Sequence, residues 1–260
     1  VPEGGICLAT ALCDPEAELL PKARKLWPAL QTAFANQAIH ATSDTHPDWF
    51  EFLAAKAVPV RQSAPAWDHI GLHRRRSLEI ALEHLDSERF LYIDPDHLLR
   101  WLERKPEELM ETLTLIGAWD ALIIGRSAAA FAAAPERLRE TEVVVNRIYA
   151  LMTGRSWDLL MAARGFSRPG AELIAGSCTE DTIGNDMAWP LLIEQAGMTL
   201  GYLEADGLTY ETNTVYANQL EDTEDANPEA WMLRVYAANQ QIDAMRPFLN
   251  YSQSLRKGGK

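Results

Sequence analysis

The chain reads as a doubly wound α/β protein, a mainly parallel sheet flanked by helices, and three observations predict this. Short apolar runs of strand length recur at Ile6–Leu12, Ala38–Thr42, Ala57–Arg61, Phe90–Ile93 and Asp120–Gly125. Stretches of helical period separate them. The composition, 47% hydrophobic and 23% charged over 260 residues, is that of an ordinary globular chain able to bury a large core. Such alternation sets parallel strands side by side, with crossover helices on both faces and ligands at the carboxyl ends of the strands.

Each element has a local reason. Ile6–Leu12 is apolar enough for a strand buried on both faces. Asp14 and Pro15 then offer an N-cap and a first-turn proline for a helix over Pro15–Ala35, which Pro21 and Pro28 can break or kink. The second strand ends at Ser43-Asp44, and a short helix over Trp49–Lys56 precedes the third. Leu72, Leu78, Leu82 and Leu85 predict a helix over His69–Leu85. After Phe90–Ile93, Asp96 is expected to cap a helix beginning at His97.

Beyond Gly125 the pattern is less regular. Glu140–Met152, Asp186–Gln195 and Trp231–Met245 read as helices, and Thr199–Glu211 as a strand or hairpin. Gln219–Pro228 is an acidic, turn-rich loop, and the basic tail Ser254–Lys260 is expected to be disordered. With no internal repeat and no low-complexity linker, residues 1–218 are read as one domain. Residues 219–260 are read as a loop, a helix and a flexible tail packed on that domain.

A formal net charge of −13 argues against wrapping nucleic acid or lying on an anionic membrane. No stretch approaches the roughly 18–20 apolar residues of a membrane span, so stable membrane insertion is not expected. Cys7, Cys13 and Cys178 form neither a disulfide framework nor a metal-knuckle spacing, which suits a reducing, cytoplasmic setting. The Val1-Pro2 start is read as a trimmed end.

The sharpest chemical signal is FLYIDPD, residues 90–96. Asp94 and Asp96 leave a buried strand where a doubly wound sheet binds ligands. A hard cation such as Mg²⁺ or Mn²⁺ takes oxygen ligands and bridges carboxylate to substrate phosphates. The bland alternative is that Asp94 ends the strand and Asp96 caps a helix. Arg74, Arg75 and Arg76 are consecutive in an acidic chain. Three consecutive helical positions fan out over about 200–300°, so one or two of them could meet an anion while the rest face solvent. Asp44, at the end of the second strand, could contact the ribose or base of a nucleotide, or simply form an Asx-turn. Trp49, Trp67, Trp157 and Trp189 could stack on a sugar or fill the core.

Together these segments resemble the family 2 glycosyltransferases of the GT-A fold. GLHRRRSLEIALEHLDSERFLYIDPDH stands where that family carries a helix with an Arg-Asn pair and then an apolar strand ending in D-x-D. The resemblance places Arg75 at the family's arginine, with Arg76 in place of its asparagine. DALIIGRS and NRIYALMTGRSWDLLMAARGF are similar to segments of the dolichyl-phosphate-mannose-synthase-like branch, matching at Asn146, Gly154, Asp158, Gly165 and Phe166, with Arg164 replacing a serine. NDMAWPLLIEQAGMTLGYLEADGLTYE resembles the closing helix, glycine and strand.

The resemblance spans about residues 4–212. It implies a transferase that moves a sugar from a nucleotide-diphosphate donor to an acceptor left unidentified. Mg²⁺ or Mn²⁺ would be held by Asp94 and Asp96, with Arg75 on the diphosphate and Asp44 on the nucleoside. Asp186, eleven residues before Gly197, stands where inverting members keep their general base, with Glu180 and Asp181 as rivals and helix capping as the structural alternative. The departures at Arg76, Arg164 and Asn185 leave open a degenerate domain that binds a nucleotide or a partner without catalysis. A nucleotidyltransferase would need a Gly-rich loop after the first strand, which LATALCDPEAE lacks. A dehalogenase-type phosphatase would carry its D-x-D after the first strand rather than about the fourth.

Overall fold

The computed structural model describes residues 5–84, 86–210 and 223–250. Their centre is a seven-stranded sheet: β1 (Ile6–Leu12), β2 (Asn36–Thr42), β3 (Val60–Ser63), β4 (Arg89–Tyr92), β5 (Ala121–Arg126), β6 (Ala163–Ser167) and β7 (Leu200–Ala205). They lie in the order β3-β2-β1-β4-β6-β5-β7. All neighbours are parallel except β6, which runs antiparallel to both β4 and β5. The expected doubly wound, mainly parallel sheet is therefore present, with one reversed strand near its centre.

Strand side chains alternate between two cores. Ile6, Leu8 and Leu12 of β1 face one core together with α1 (Leu20–Ala33), α2 (Pro47–Ala55), α4 (Pro95–Arg104) and α5 (Pro106–Leu115). Cys7 and Ala9 face the other, with α3 (Ile70–Leu82), α8 (Arg168–Ser177) and α9 (Asn185–Gln195). A short α6 (Ala128–Ala132) and the long α7 (Glu136–Thr153) follow β5, and α10 (Pro228–Met245) packs across α7 and α9. Gly154 closes α7 in the left-handed conformation at φ 80°, which a residue with a Cβ adopts only with strain.

Several boundaries differ from the sequence expectation, each for a physical reason. The first helix starts at Leu20 rather than Pro15, because Ala17 takes a positive φ of 55° and the segment turns. Asp14 is therefore not the N-cap, which is Leu19; it holds the turn before the helix, accepting from the amides of Glu18 and Leu19 at 2.9 and 3.0 Å, and from the Trp49 indole at 2.7 Å. The helix after β4 starts at Pro95, whose preset φ suits the first turn, so Asp94 takes the N-cap position and Asp96 lies inside the helix. Asp96 is thus not the cap expected from sequence. β6 was not anticipated at all, since Arg164 and Gly165 interrupt its apolar pattern. The hairpin alternative at Thr199–Glu211 resolves to the single strand β7 as far as residue 210. Glu211, the first part of the acidic loop and the basic tail lie outside the described residues.

Helix α3 carries the side chain on which the site turns, and Leu78 seats it on the sheet with no exposure. Leu78→Ala is expected to lower stability by about 2–5 kcal/mol, the cost of a large-to-small change in a tight core, read from urea unfolding.

Candidate functional site

The carboxyl ends of β1, β2 and β4 open into a cleft of about 350 Å³. Cys13 and Asp14 form its floor after β1, and Thr42 contributes from β2. His73 and Arg74 line one wall from α3, and Asp94 and Asp96 another after β4. This is where an open parallel sheet leaves room between diverging loops.

Arg74 organises the cleft. It shares the buried face of α3 with Leu78 and Ala81, at i+4 and i+7, and is only 6% exposed. Its Nη2 donates to Asp94 Oδ2 at 2.6 Å, and its Nη1 donates to Asp186 Oδ1 at 3.0 Å and Asn185 Oδ1 at 3.1 Å. Burial alone would pull the guanidinium down, but Asp94 and Asp186 outweigh it and hold the pKa above the ordinary arginine value. The other oxygen of Asp94 accepts from Tyr92 Oη at 2.5 Å. Burial, and then Asp94, push that phenol well above its usual range, so it stays a donor.

Asp186 is 3% exposed and fully engaged, its Oδ2 accepting from Gln241 of α10 at 3.2 Å. Its backbone carbonyl has a separate partner. Pro190, four residues on, has no N–H to return to it. The guanidinium of Arg164, 1% exposed on β6, donates to that carbonyl at 3.4 Å. Arg164 also donates to the carbonyls of Leu159 and Ala163. Asp186, read from sequence as the candidate general base, holds hydrogen bonds on both carboxylate oxygens, and burial raises its pKa above the ordinary aspartate value.

The arginine at the aspartates is Arg74 and not Arg75. Turned about 100° further round α3, Arg75 donates to Asp181 Oδ1 at 2.7 Å and to the Glu180 carbonyl at 3.3 Å. Gly71 permits that approach, because a Cβ there would lie 2.3 Å from the Thr182 carbonyl. Asp44 is exposed in the turn after β2 and does not line the cleft. Trp49 and Trp189 are core residues at 3% and 1% exposure, whereas Trp67 is at the surface. Sequence reading missed Tyr92, Asn185 and His73. Tyr92 carried a signal, since it stands two residues before Asp94 on the same face of the strand.

His73 and His40 stack with ring centroids 5.0 Å apart, and their Nδ1 atoms approach to 3.2 Å. Ser63 Oγ lies 3.2 Å from the same His73 nitrogen. Burial lowers both pKa values, that of His40 to about 4. Both rings are therefore neutral near pH 7.

The oxygen donors suit a cation shared with a ligand. Among the described residues no group of three or more His, Cys, Asp or Glu could hold a metal ion by itself. Asp94 is satisfied by Arg74 and Tyr92, while Asp96 lies on the cleft, where among the described residues its ion-pairing neighbour is the His97 ring at 3.5 Å. Arg74 and Arg164 balance Asp94 and Asp186, which leaves Asp96 as an uncompensated negative charge. A Mg²⁺-like ion held by one or two carboxylates and completed by water and phosphate oxygens fits such a set.

The fold has known counterparts. Glucosyl-3-phosphoglycerate synthase from Mycobacterium tuberculosis superposes over 94% of this chain and 80% of its own, with a TM-score of 0.56 at 12% identity. A complex of that enzyme with Mn²⁺, UDP-glucose and phosphoglyceric acid matches over 91% of this chain and 79% of its own, with a TM-score of 0.53 at 12% identity. The fold is that of the GT-A glycosyltransferases. No protein-family model matches the sequence, and no curated protein matches it significantly. The Asp94-Pro95-Asp96 segment follows β4, which pairs with the reversed β6. Neither counterpart is a dolichyl-phosphate-mannose synthase, so the branch read from sequence gains no support.

Three outcomes follow from this electrostatic arrangement. Arg74→Ala strands two carboxylates and is expected to cost about 3–5 kcal/mol in chemical denaturation. Arg75→Ala breaks a pair whose aspartate is 42% exposed, and should cost about 1 kcal/mol or less. Stability should also depend on pH through His40, whose folded pKa of about 4 lies below its ordinary 6.5. The unfolded chain binds that proton more readily, so the stabilisation is complete above pH 6.5 and is lost as pH falls towards 4. Unfolding midpoints of His40→Gln should fall less steeply than wild type across that window.

Proposed function

We propose that this chain is a glycosyltransferase that takes its sugar from a nucleoside-diphosphate donor with the help of Mg²⁺ or Mn²⁺. The observation that carries the reading is the uncompensated Asp96 beside the Arg74–Asp94 pair, in the strand-end cleft of a GT-A fold. UDP-glucose, Mn²⁺ and Mg²⁺ occur in the structural counterparts, which supports a donor and cation of this class.

Asp96, with Asp94 beside it, would hold the cation. When bound, the cation supplies positive charge to the diphosphate as it departs. Arg74 adds a fixed guanidinium to the same wall, oriented by Asp186, Asn185 and Asp94 so that little reorganisation is needed when charge develops. Tyr92 anchors Asp94 from below. Asp186 acts as a positioning residue, and the inverting course tied to a base at that position is not carried forward. In the transfer an acceptor oxygen gains the bond to the anomeric carbon that the diphosphate gives up, and the proton of an acceptor hydroxyl leaves to the departing diphosphate or to solvent.

The test is calorimetric titration of wild type and Asp96→Ala with UDP and GDP, each with and without Mn²⁺. Cation-dependent binding that weakens at least tenfold, about 1.4 kcal/mol, in the variant is expected. Cys13 gives an independent readout, being exposed on the cleft while Cys7 and Cys178 are buried. A bound nucleotide should slow its alkylation. No binding of either nucleotide, with or without cation, would refute the donor reading. Binding without sugar transfer or donor hydrolysis would favour the degenerate nucleotide-binding domain.

A further inference from the structure

The large apolar side chains left exposed among the described residues are not scattered. Met232, Leu233, Val235 and Tyr236 of α10 are 43–69% exposed, and Val144 and Leu151 of α7 are 51% and 53% exposed. Met232, Val235, Tyr236 and Asn239 recur at i, i+3, i+4 and i+7, so they form one stripe along α10. Beside the stripe lies a groove bounded by Pro228 and Trp231. The two helices run side by side in one direction. Arg137, near the start of α7, donates to Asp225 just before α10, and Arg234 of α10 donates to Glu142 of α7. That register brings Val144 level with Val235 and joins the helices in one face. Asp68 accepts from Tyr236 Oη at 2.8 Å and from Gln240 Nε2 at 2.7 Å, which adds the neighbouring Trp67, 41% exposed, to the rim.

The chemistry of this face selects its occupant. A chain of net charge −13 is repelled by nucleic acid and by anionic membranes. At a two-fold axis each residue meets its own counterpart, so a charged residue there would face like charge. Met232, Val235, Tyr236 and Asn239 avoid that cost within a strongly acidic chain. The size also fits a second copy. Trp67, Val144, Leu151 and the four apolar residues of α10 leave roughly 700 Å² of surface open, against about 800 Å² per partner in a standard interface. Polar residues at the rim, Asn239 among them, supply the remainder. Soluble monomers rarely keep so large a contiguous apolar patch in water.

We propose that this α7–α10 face is the interface of a two-fold homodimer, the α10 stripe of one copy packed against that of its partner. None of these residues lines the cleft, so the interface and the donor reading stand or fall separately.

The experiment is sedimentation velocity of the full chain over about 1–100 μM, a range in which a standard-size interface of micromolar strength or better populates the dimer. Wild type should approach twice the mass of the chain as concentration rises. Added salt should tighten the association, because it screens the repulsion between two acidic copies. Val235→Asp and Met232→Lys, charges placed at exposed positions of the stripe, should each weaken it at least about tenfold. Leu115→Lys, at an exposed apolar position on α5 across the sheet, should leave it unchanged. Peroxide oxidation of Met232 in wild type, read by mass spectrometry, should slow several-fold above the Kd of the dimer. Wild type that stays monomeric at the highest concentration in high salt overturns the proposal. So does a Met232 oxidation rate that ignores protein concentration, whether or not the variants fold. A dimer that survives Val235→Asp in folded protein, or that Leu115→Lys dissolves, overturns this interface. Growth beyond a dimer overturns the two-fold arrangement.

Discussion

The buried guanidinium of Arg74 is the constraint on which the rest of the site depends. A charge taken from water must be met by opposite charge and by hydrogen bonds, or the fold loses several kilocalories per mole. Here the compensation comes from three residues at two separate places: Asp94 at the end of β4, and Asp186 and Asn185 at the start of α9. Those partners are held in turn, Asp94 by Tyr92 and Asp186 by Gln241 of α10. Elements far apart in the chain are locked together at one point, and that point is the wall of the cleft.

The lock divides the acidic residues by role. Asp94 and Asp186 are bound to the protein, so they shape the wall and hold the Arg74 guanidinium in place. Asp96 is left unbalanced and facing the cleft. A diphosphate brought beside it would meet like charge, which a divalent cation relieves. Burial keeps both His40 and His73 uncharged near pH 7.

Arg164 shows how a residue can contradict local pattern and still be satisfied. In β6 it is a buried arginine in a strand, with a glycine beside it, and no periodicity marks it. Its partners are backbone carbonyls, including the one that Pro190 leaves unpaired in α9. The proline and the arginine are 26 residues apart in the chain, and each explains the other only when folded together. The same holds for Asp186, which reads locally as a helix-start carboxylate and is bound in the fold by Arg74 and Gln241.

Local sequence by itself determined the alternation of strands and helices, the parallel majority of the sheet, and the arrival of Asp94 and Asp96 at a strand end. These follow from short-range periodicity and from prolines and caps acting within a turn or two. It left undecided which of three adjacent arginines faces the cleft, since a shift of one position on α3 rotates the side chain by about 100°. Tertiary structure made that choice, burying Arg74 beside Leu78 and sending Arg75 to Asp181. It also set the antiparallel β6, the burial of Asp186 and the pairing of His40 with His73. Each depends on contacts between residues distant in the chain, as with Arg74 and Asp186, 112 positions apart. Burial and charge balance, rather than local pattern, select among such contacts.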